Sequence, residues 1–207
     1  MTNLIIDLDN TIYPVKSIGE KLFAPLFDLL RSPKYNLNSE TIENAKEQIM
    51  RIPFQKVAKQ FNFPDALTND ALTLLRGLTY DEPMTYFEGY ETIRELDTKK
   101  FLLTTGFKAL QESKVRALKI ENDFTEMFIV DPDASTRTKK DVMLEIMEKY
   151  RLSPADILVI GDDPQSEIKA AKELGIRSFL VDPENAYPEA PADYRGVNLN
   201  EALKYIG

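Results

Sequence analysis

The chain has 207 residues, of which 43% are hydrophobic, and it carries a formal net charge of -8 at pH 7. This length suits one domain with a sizeable core, or a core with a smaller insertion, and the acidic surface would repel a nucleic-acid polymer. The sequence contains neither Cys nor His, which excludes disulfides, thiolate nucleophiles, cysteine-bound zinc and imidazole catalysis. Any chemistry must therefore use carboxylates, hydroxyls, lysines or a hard metal ion.

The sequence also shows no targeting or membrane-spanning pattern. The N-terminal residues lack a basic segment followed by a long apolar one, and no run approaches the roughly 18 apolar residues of a membrane span. We therefore expect a cytoplasmic protein that does not bind a membrane. The oligomeric state stays open.

Short runs rich in Ile, Val, Leu and Phe recur along the chain and predict buried strands. The runs are 4–8, 101–103, 127–130, 157–160 and 178–181. Helical patterns occupy the intervals at 88–96, 108–118, 139–150 and 165–174. Strands that alternate with helices imply parallel crossovers, so we predict an α/β fold with a doubly wound, Rossmann-like parallel sheet.

One interval breaks this alternation. Between about residues 15 and 86 the sequence shows only amphipathic helical stretches, near 18–30, 39–51, 54–61 and 66–75, punctuated by prolines. Compact domains seldom contain a structureless loop of this length. We therefore predict a helical cap at 15–86, inserted after the first strand into a core formed by 1–14 and 87–207. Extra helices packed on the sheet edge are the alternative.

Polar residues follow several predicted strands, at the edge where parallel α/β sheets bind ligands. They are Asp7, Asp9 and Thr11 after the first strand, Thr104, Thr105 and Gly106 at the second, and Gly161, Asp162 and Asp163 after the fourth. Lys139 and Lys140 open the helix that follows the third strand. Each group alone is ordinary for a turn or a solvated helix start, but convergence of all of them on one rim favours a site.

The carboxylates of this rim predict a metal ion. Asp7, Asp9 and Asp162 offer oxygen ligands, which suit Mg²⁺, a hard cation that prefers carboxylates, water and phosphate. Two bare carboxylates about 4 Å apart repel by roughly 4 kcal/mol at an effective dielectric constant near 20. A metal ion or a shared proton must offset that repulsion, and a nearby lysine would hold one carboxyl in its charged form.

Four stretches together resemble the motifs of the haloacid dehalogenase-like hydrolases. They are Asp-Leu-Asp-Asn-Thr after the first strand, Leu-Leu-Thr-Thr-Gly at the second, a Lys at a helix start, and Gly-Asp-Asp with Glu167 further on. The resemblance runs from residue 3 to about 181 in the family's order and spacing. The inserted helices resemble the C1 cap of that superfamily, and Ile-Tyr-Pro at 12–14 resembles the branch that contains pyrimidine 5'-nucleotidases.

This resemblance implies a Mg²⁺-dependent phosphomonoester hydrolase. Asp7 would attack phosphorus to form an aspartyl-phosphate, and Asp9 would protonate the leaving oxygen and then deprotonate water. That double role predicts a raised pKa for Asp9, caused by the neighbouring Asp7 charge. Mg²⁺ would be held by Asp7, Asp162 and the backbone carbonyl of Asp9. The substrate would be a small phosphorylated metabolite, with a nucleoside 5'-monophosphate as one candidate.

The resemblance also implies a phosphate-binding set. Thr104 would bind the phosphoryl oxygens, together with backbone N–H groups near Thr105 and Gly106. A lysine would neutralise phosphate charge and hold the nucleophile in place. Lys139 is the favoured residue for that role, and Lys140 is the alternative.

Three positions depart from the family pattern. Thr105 stands where Asn is frequent, Glu167 stands where Asp is frequent, and no Pro follows the lysine. Either Asp163 or Glu167 would complete the outer shell of the metal site. None of these departures removes a principal catalytic role.

Other functions share part of this pattern. A sugar-phosphate mutase of the same fold would use every residue named above and would differ in how the cap excludes water. A phospho-accepting regulatory domain would place its acidic pair and its phosphorylated Asp on different strands, and a non-catalytic metabolite-binding protein predicts loss of Asp7 or Asp9. A dehalogenase is disfavoured because carbon–halogen displacement does not require the acid/base residue at position 9.

The aromatic residues of the predicted cap have two interpretations. They would either stack on a substrate base or form the cap's own core. The residues are Tyr13, Phe23, Phe27, Phe54, Phe61, Tyr80 and Tyr86. A bundle of short helices needs apolar filling, which favours the core for most of them, whereas Tyr13 lies near the predicted nucleophile in sequence.

Overall fold

A computed structural model describes residues 2–206 of the chain. Its strands are β1 (Asn3–Ile6), β2 (Lys100–Thr105), β3 (Glu126–Val130), β4 (Ile157–Gly161), β5 (Arg177–Val181) and β6 (Tyr194–Gly196). They form one sheet in the order β3-β2-β1-β4-β5-β6, and every adjacent pair is parallel. The predicted α/β fold with a doubly wound parallel sheet is confirmed.

Six α-helices lie between β1 and β2, and we call the first five of them the helical insert. They are α1 (Lys16–Leu22), α2 (Ala24–Arg31), α3 (Ser39–Ile49), α4 (Phe54–Gln60) and α5 (Asp65–Arg76). The helices that follow are α6 (Tyr90–Arg94), α7 (Lys108–Leu118), α8 (Lys139–Tyr150), α9 (Glu167–Leu174) and α10 (Leu199–Ala202). Among the described residues, every helix is too short or too polar to cross a lipid bilayer.

Side chains of β1 alternate between two apolar cores. Leu4 and Ile6 belong to a cluster that also contains Leu26 and Phe27 of the helical insert, whereas Ile5 belongs to a second cluster that includes residues of α8 and α9. Successive side chains of a strand point to opposite faces of its sheet. A strand that is buried on both faces must therefore be apolar throughout, which explains the continuous run at the start of the chain.

The single helix predicted at 18–30 is wrong, because the structure has two helices there. Phe23 separates α1 from α2 with φ -93° and ψ 8°, and Pro25 occupies the first turn of α2. A proline lacks the N–H that would continue the preceding helix, and its ring clashes with the carbonyl one turn earlier. The helical run is therefore interrupted at Phe23.

Two further elements differ from the prediction. The helix predicted at 88–96 covers only Tyr90–Arg94, because Gly89 has a left-handed backbone with φ +93° and lies against Asn200, where a Cβ atom would collide. The short strand β6 was not predicted, because Tyr-Arg-Gly contains no apolar run. It completes the sheet edge by pairing with β5.

Candidate active site

The carboxyl ends of β1, β2 and β4 border a cavity of about 530 Å³. Parallel pairing of β1 with both β2 and β4 brings these three ends together. Asp7 follows β1 directly, and its N–H donates to the Ile160 carbonyl of β4 at 2.9 Å. The opposite wall comes from the helical insert and is largely apolar, with Phe23, Ile52 and Phe54 among its side chains. The cavity thus lies between the polar strand ends and an apolar wall.

Asp7 is buried and forms an ion pair with Lys139. Lys139 Nζ lies 2.5 Å from Asp7 Oδ1 and 2.7 Å from Glu167 Oε2, and all three side chains are at most 7% exposed. Lys140 instead pairs with Glu173 at 2.7 Å, where both side chains are more than 40% exposed. Of the two lysines that the sequence offered, Lys139 is therefore the one that contacts Asp7.

Local hydrogen bonds fix where α8 and α9 begin. Thr138 and Asp141 form a capping box, in which each side chain accepts the backbone N–H of the other residue, so the helix starts at the lysine that meets Asp7. Before α9, the Asp163 carboxylate accepts the Gln165 N–H at 2.8 Å, and Glu167 Oε1 accepts the Asp163 N–H at 2.8 Å. This turn delays the helix to Glu167, two residues after its predicted start.

Three carboxyl groups form an acidic cluster beside the cavity, and two of them, Asp7 and Asp162, line it. Asp7, Asp162 and Glu167 each place an oxygen within 4.8 Å of the other two. Burial raises the pKa of Asp7 to about 7, with Lys139 opposing the rise and Glu167 adding to it. Burial and the charges of Glu167 and Asp7 also raise the pKa of Asp162. Since Lys139 brings one positive charge against three carboxyls, the cluster retains negative charge that a divalent cation would offset.

The chemistry of this cluster fits Mg²⁺. All of its donors are carboxylate oxygens, the ligand type that hard divalent cations prefer. Burial disfavours the charged form of Glu167, but the Lys139 charge and hydrogen bonds outweigh burial and lower its pKa. Of the two residues that the sequence offered for the outer shell, Glu167 lies in the cluster, whereas the Asp163 carboxylate binds a backbone N–H beside it.

Asp9 is held by three donors and lies outside the acidic cluster. The Tyr13 hydroxyl donates to Oδ1, Lys114 Nζ donates to the same oxygen at 2.7 Å, and Gln111 Nε2 donates to Oδ2 at 2.8 Å. Tyr13 is fully buried and Lys114 is 3% exposed. The side chain of Asp9 is therefore engaged in hydrogen bonds and does not lie with the predicted metal ligands.

The predicted rise in the pKa of Asp9 is wrong. Burial does favour a rise, but the charge and hydrogen bond of Lys114, with the hydrogen bonds of Tyr13 and Gln111, outweigh burial and lower the pKa. Sequence reasoning missed Gln111 and Lys114, which lie more than 100 residues from Asp9 along the chain. The available signal was two long polar side chains three residues apart on the helix after β2, the spacing that places them on one face.

The predicted phosphate-binding residues all line the cavity, with different contacts. Thr104 is 1% exposed, and its Oγ1 accepts a hydrogen bond from Gln111 Nε2 at 2.6 Å. Thr105 lies at the end of β2 and is partly exposed. The Gly106 N–H donates to the Val130 carbonyl at 3.0 Å, so in this arrangement it is not available to the phosphate as predicted.

Most aromatic side chains of the predicted cap contribute to packing. Phe23 and Phe54 line the cavity and also belong to the apolar cluster around β1. The other five are buried in that cluster or pack against it: Tyr13, Phe27, Phe61, Tyr80 and Tyr86. Tyr13 differs from the rest because its hydroxyl reaches Asp9.

The chain matches the family model described as haloacid dehalogenase-like hydrolase over residues 4–181. The chain belongs to the haloacid dehalogenase-like hydrolase family. The match includes β1, β2 and β4 and therefore every strand end that borders the cavity. The family resemblance predicted from the four sequence motifs is confirmed.

Individual proteins that match this haloacid dehalogenase-like hydrolase have low sequence identity to it. A phosphoserine phosphatase from Thermus thermophilus is 26% identical over 106 residues, which are 49% of this chain and 42% of that protein. The chain thus matches less than half the length of this curated relative.

Solved structures show the same fold. A HAD phosphatase from Thermococcus onnurineus has 19% identity and a TM-score of 0.64, with 100% of this chain and 98% of that chain covered. The protein YfnB from Bacillus subtilis, in a crystal form bound to magnesium, has 17% identity and a TM-score of 0.70, with the same coverage of both chains. At these identities the likeness concerns the fold alone.

Proposed function

We propose that this hydrolase is a Mg²⁺-dependent phosphatase that acts on a small phosphorylated metabolite through an aspartyl-phosphate. The observation that carries the proposal is the position of Asp7. This buried carboxylate follows β1, pairs with Lys139, lies beside two further carboxyl groups and borders the cavity. Family membership and the partial match to a phosphoserine phosphatase support phosphatase chemistry.

In the first step, an Asp7 oxygen forms a bond to phosphorus while the bond between phosphorus and the leaving alcohol oxygen breaks. Lys139 favours the charged form of Asp7 and brings a positive charge to the phosphoryl oxygens. Gln111 donates to Thr104 Oγ1, which leaves the Thr104 hydroxyl hydrogen free to donate to the phosphoryl group. These contacts orient the reactants and stabilise the charge that develops on phosphorus.

Asp9 is the proposed proton-transfer residue. In the second step, water attacks the aspartyl-phosphate and a water proton passes to the Asp9 carboxylate, the form that its three donors stabilise. The first step would use the protonated form, which is the minor form because the three donors lower the pKa of Asp9, and which gives its proton to the leaving oxygen. Asp9 therefore alternates between acid and base, whereas Asp7 alternates between free carboxylate and acyl phosphate.

Asp7, Asp162 and the backbone carbonyl of Asp9 would hold Mg²⁺, with Glu167 as the outer-shell residue. When bound, the ion would supply positive charge that stabilises the transferring phosphoryl group. The acidic cluster supports this assignment, because burial and the charges of neighbouring carboxyl groups raise the pKa values of Asp7 and Asp162.

The helical insert is the proposed C1 cap, which would select the part of the substrate beyond the phosphate. Its wall of the cavity carries aromatic and aliphatic side chains, which suit a planar, weakly polar group. Together with Ile-Tyr-Pro at 12–14, this wall supports a nucleoside 5'-monophosphate as the candidate substrate.

A panel of nucleoside monophosphates, sugar phosphates and p-nitrophenyl phosphate tests the proposal, with phosphate release measured in Mg²⁺ and in chelator. We expect release that requires Mg²⁺ and vanishes in Asp7→Asn, while Asp28→Asn, at a carboxyl that is 77% exposed, retains it. Release that is undiminished in Asp7→Asn would exclude the proposed nucleophile. Transfer of the phosphoryl group to a sugar phosphate without net phosphate release would instead indicate a mutase.

A further inference from the structure

Both carboxylate oxygens of Asp9 are fixed by neighbouring side chains. Oδ1 accepts from Tyr13 and Lys114, and Oδ2 accepts from Gln111. Lys114 is 3% exposed and Gln111 is 1% exposed, so α7 places two long polar side chains in the interior at this one carboxylate. Buried polar groups are normally paired, and here the partners surround Asp9 on both oxygens. The carboxylate is therefore prevented from rotating about its terminal bond.

Gln111 also connects Asp9 to the proposed phosphate-binding hydroxyl. Its Nε2 lies 2.8 Å from Asp9 Oδ2 and 2.6 Å from Thr104 Oγ1. An amide nitrogen has two hydrogens, so it can donate to both oxygens at once. One side chain thus sets the position of the proton-transfer carboxylate relative to the group that would hold the phosphoryl oxygens.

We infer that Gln111 and Lys114 are positioning residues that orient Asp9 for hydrolysis of the aspartyl-phosphate, an inference that rests on the proposed phosphatase function. In that step a water oxygen bonds to phosphorus, the bond between phosphorus and the Asp7 oxygen breaks, and the water proton passes to Asp9. Asp7 is regenerated as a carboxylate and inorganic phosphate leaves. A carboxylate that is already oriented needs no rearrangement when the water attacks.

The experiment uses p-nitrophenyl phosphate, because nitrophenolate leaves without needing a proton from Asp9. Formation of the phosphoenzyme is then independent of Asp9, whereas its hydrolysis is not. Acid quenching during steady turnover gives the fraction of the enzyme that is phosphorylated. In Lys114→Met and Gln111→Met we expect kcat to fall about tenfold or more while this fraction rises severalfold. KM should fall in proportion to kcat, because kcat/KM reports formation of the phosphoenzyme, which is unchanged.

Matched variants separate positioning from a general loss of structure. Lys108→Met lies on the same helix at a side chain that is 73% exposed, and it should behave as the wild type. Lys114→Arg retains a positive donor and should recover part of the lost rate. If Lys114→Met does not fold, Tyr13→Phe removes only one hydroxyl and should raise the phosphorylated fraction in the same direction.

A fall in kcat without a rise in the phosphorylated fraction would overturn the inference, because a structural defect slows both steps. Wild-type rates in Lys114→Met and Gln111→Met would overturn it as well, while leaving the phosphatase proposal intact. Absence of turnover and of phosphoenzyme in the wild type would overturn the proposed function and this inference together.

Discussion

Lys139 is a buried ammonium group between two carboxylates, and its charge opposes the rise that burial causes in the pKa of Asp7. Burial lowers the tendency of Lys139 to stay protonated, but Asp7 and Glu167 outweigh burial and raise its pKa. Removing one partner of a buried ion pair leaves an uncompensated charge in a poorly solvated place. Lys139 is therefore expected to contribute to stability as well as to phosphate binding.

Lys139→Met should lower the free energy of unfolding by about 3–5 kcal/mol in the absence of metal, because it leaves two buried carboxylates without their cation. Lys140→Met is the matched control at the adjacent position. Its exposed pair with Glu173 should contribute little to stability, because solvent screens the two charges. Urea unfolding measures both values, and equal effects of the two substitutions would contradict the assigned role of Lys139.

Individual site residues differed in how well the sequence could predict them. Asp7 and Asp162 were predictable because the ends of neighbouring parallel strands must meet at one edge of the sheet. The direction of the pKa shift at Asp9 was not predictable. It depends on Lys114 and Gln111, which come from a helix remote in sequence, and no rule of spacing connects that helix to residue 9.

The end of β4 and the start of α9 approach each other closely at Gly161. A Cβ atom on Gly161 would collide with the Glu167 carboxylate, including its Oε1 atom. The absence of a side chain at this strand end therefore allows Glu167 to reach Lys139 and the acidic cluster. Position 161 requires glycine because the Glu167 side chain occupies the space that a Cβ atom would fill.

Gly161→Ala should displace Glu167, weaken its contact with Lys139 and reduce phosphatase activity by about tenfold or more, the loss seen when a residue that supports metal ligands is disturbed. Gly77→Ala, at the end of α5, is the matched control because its new Cβ would lie no closer than 3.8 Å to other atoms. Activity and thermal unfolding should be compared in both variants. An active Gly161→Ala protein with unchanged Mg²⁺ affinity would contradict the proposed role of Glu167.

The helices and strands were predictable where the hydrophobic pattern was long and regular. β4 is an uninterrupted apolar run and begins at its predicted residue, and α7 and α8 have the predicted bounds. β6 could not be found, because three residues at a sheet edge carry too little pattern. To predict the break at Phe23, Pro25 would have had to count for more than the amphipathic pattern that continues on both sides of it.

The molecule combines the sheet and the helical insert in one apolar cluster, which contains Leu4 of β1 together with side chains from α1 to α5. The acidic cluster lies where this shared core meets the cavity. Charge repulsion there opposes folding of the metal-free protein, since the unfolded chain separates the three carboxylates. A metal ion that binds only the folded state would offset this repulsion and shift the folding equilibrium toward the folded protein.

Saturating Mg²⁺ should therefore raise the thermal midpoint of unfolding. At a concentration one hundred times the dissociation constant, a ligand of the folded state adds about 2.7 kcal/mol. For a chain of this size that corresponds to an increase of about 5–10 °C. Asp162→Asn should reduce the increase strongly, and differential scanning calorimetry with and without chelator measures it. An increase of equal size in Asp162→Asn would contradict the proposed metal site.

Chemical trapping can detect the covalent intermediate proposed on Asp7. The wild-type protein is mixed with p-nitrophenyl phosphate and Mg²⁺, treated with borohydride during turnover, digested and analysed by mass spectrometry. Borohydride reduces an aspartyl-phosphate to homoserine, so we expect homoserine at position 7 and unmodified Asp at position 9. Continued turnover with Asp7 unmodified, or homoserine at another position, would contradict it.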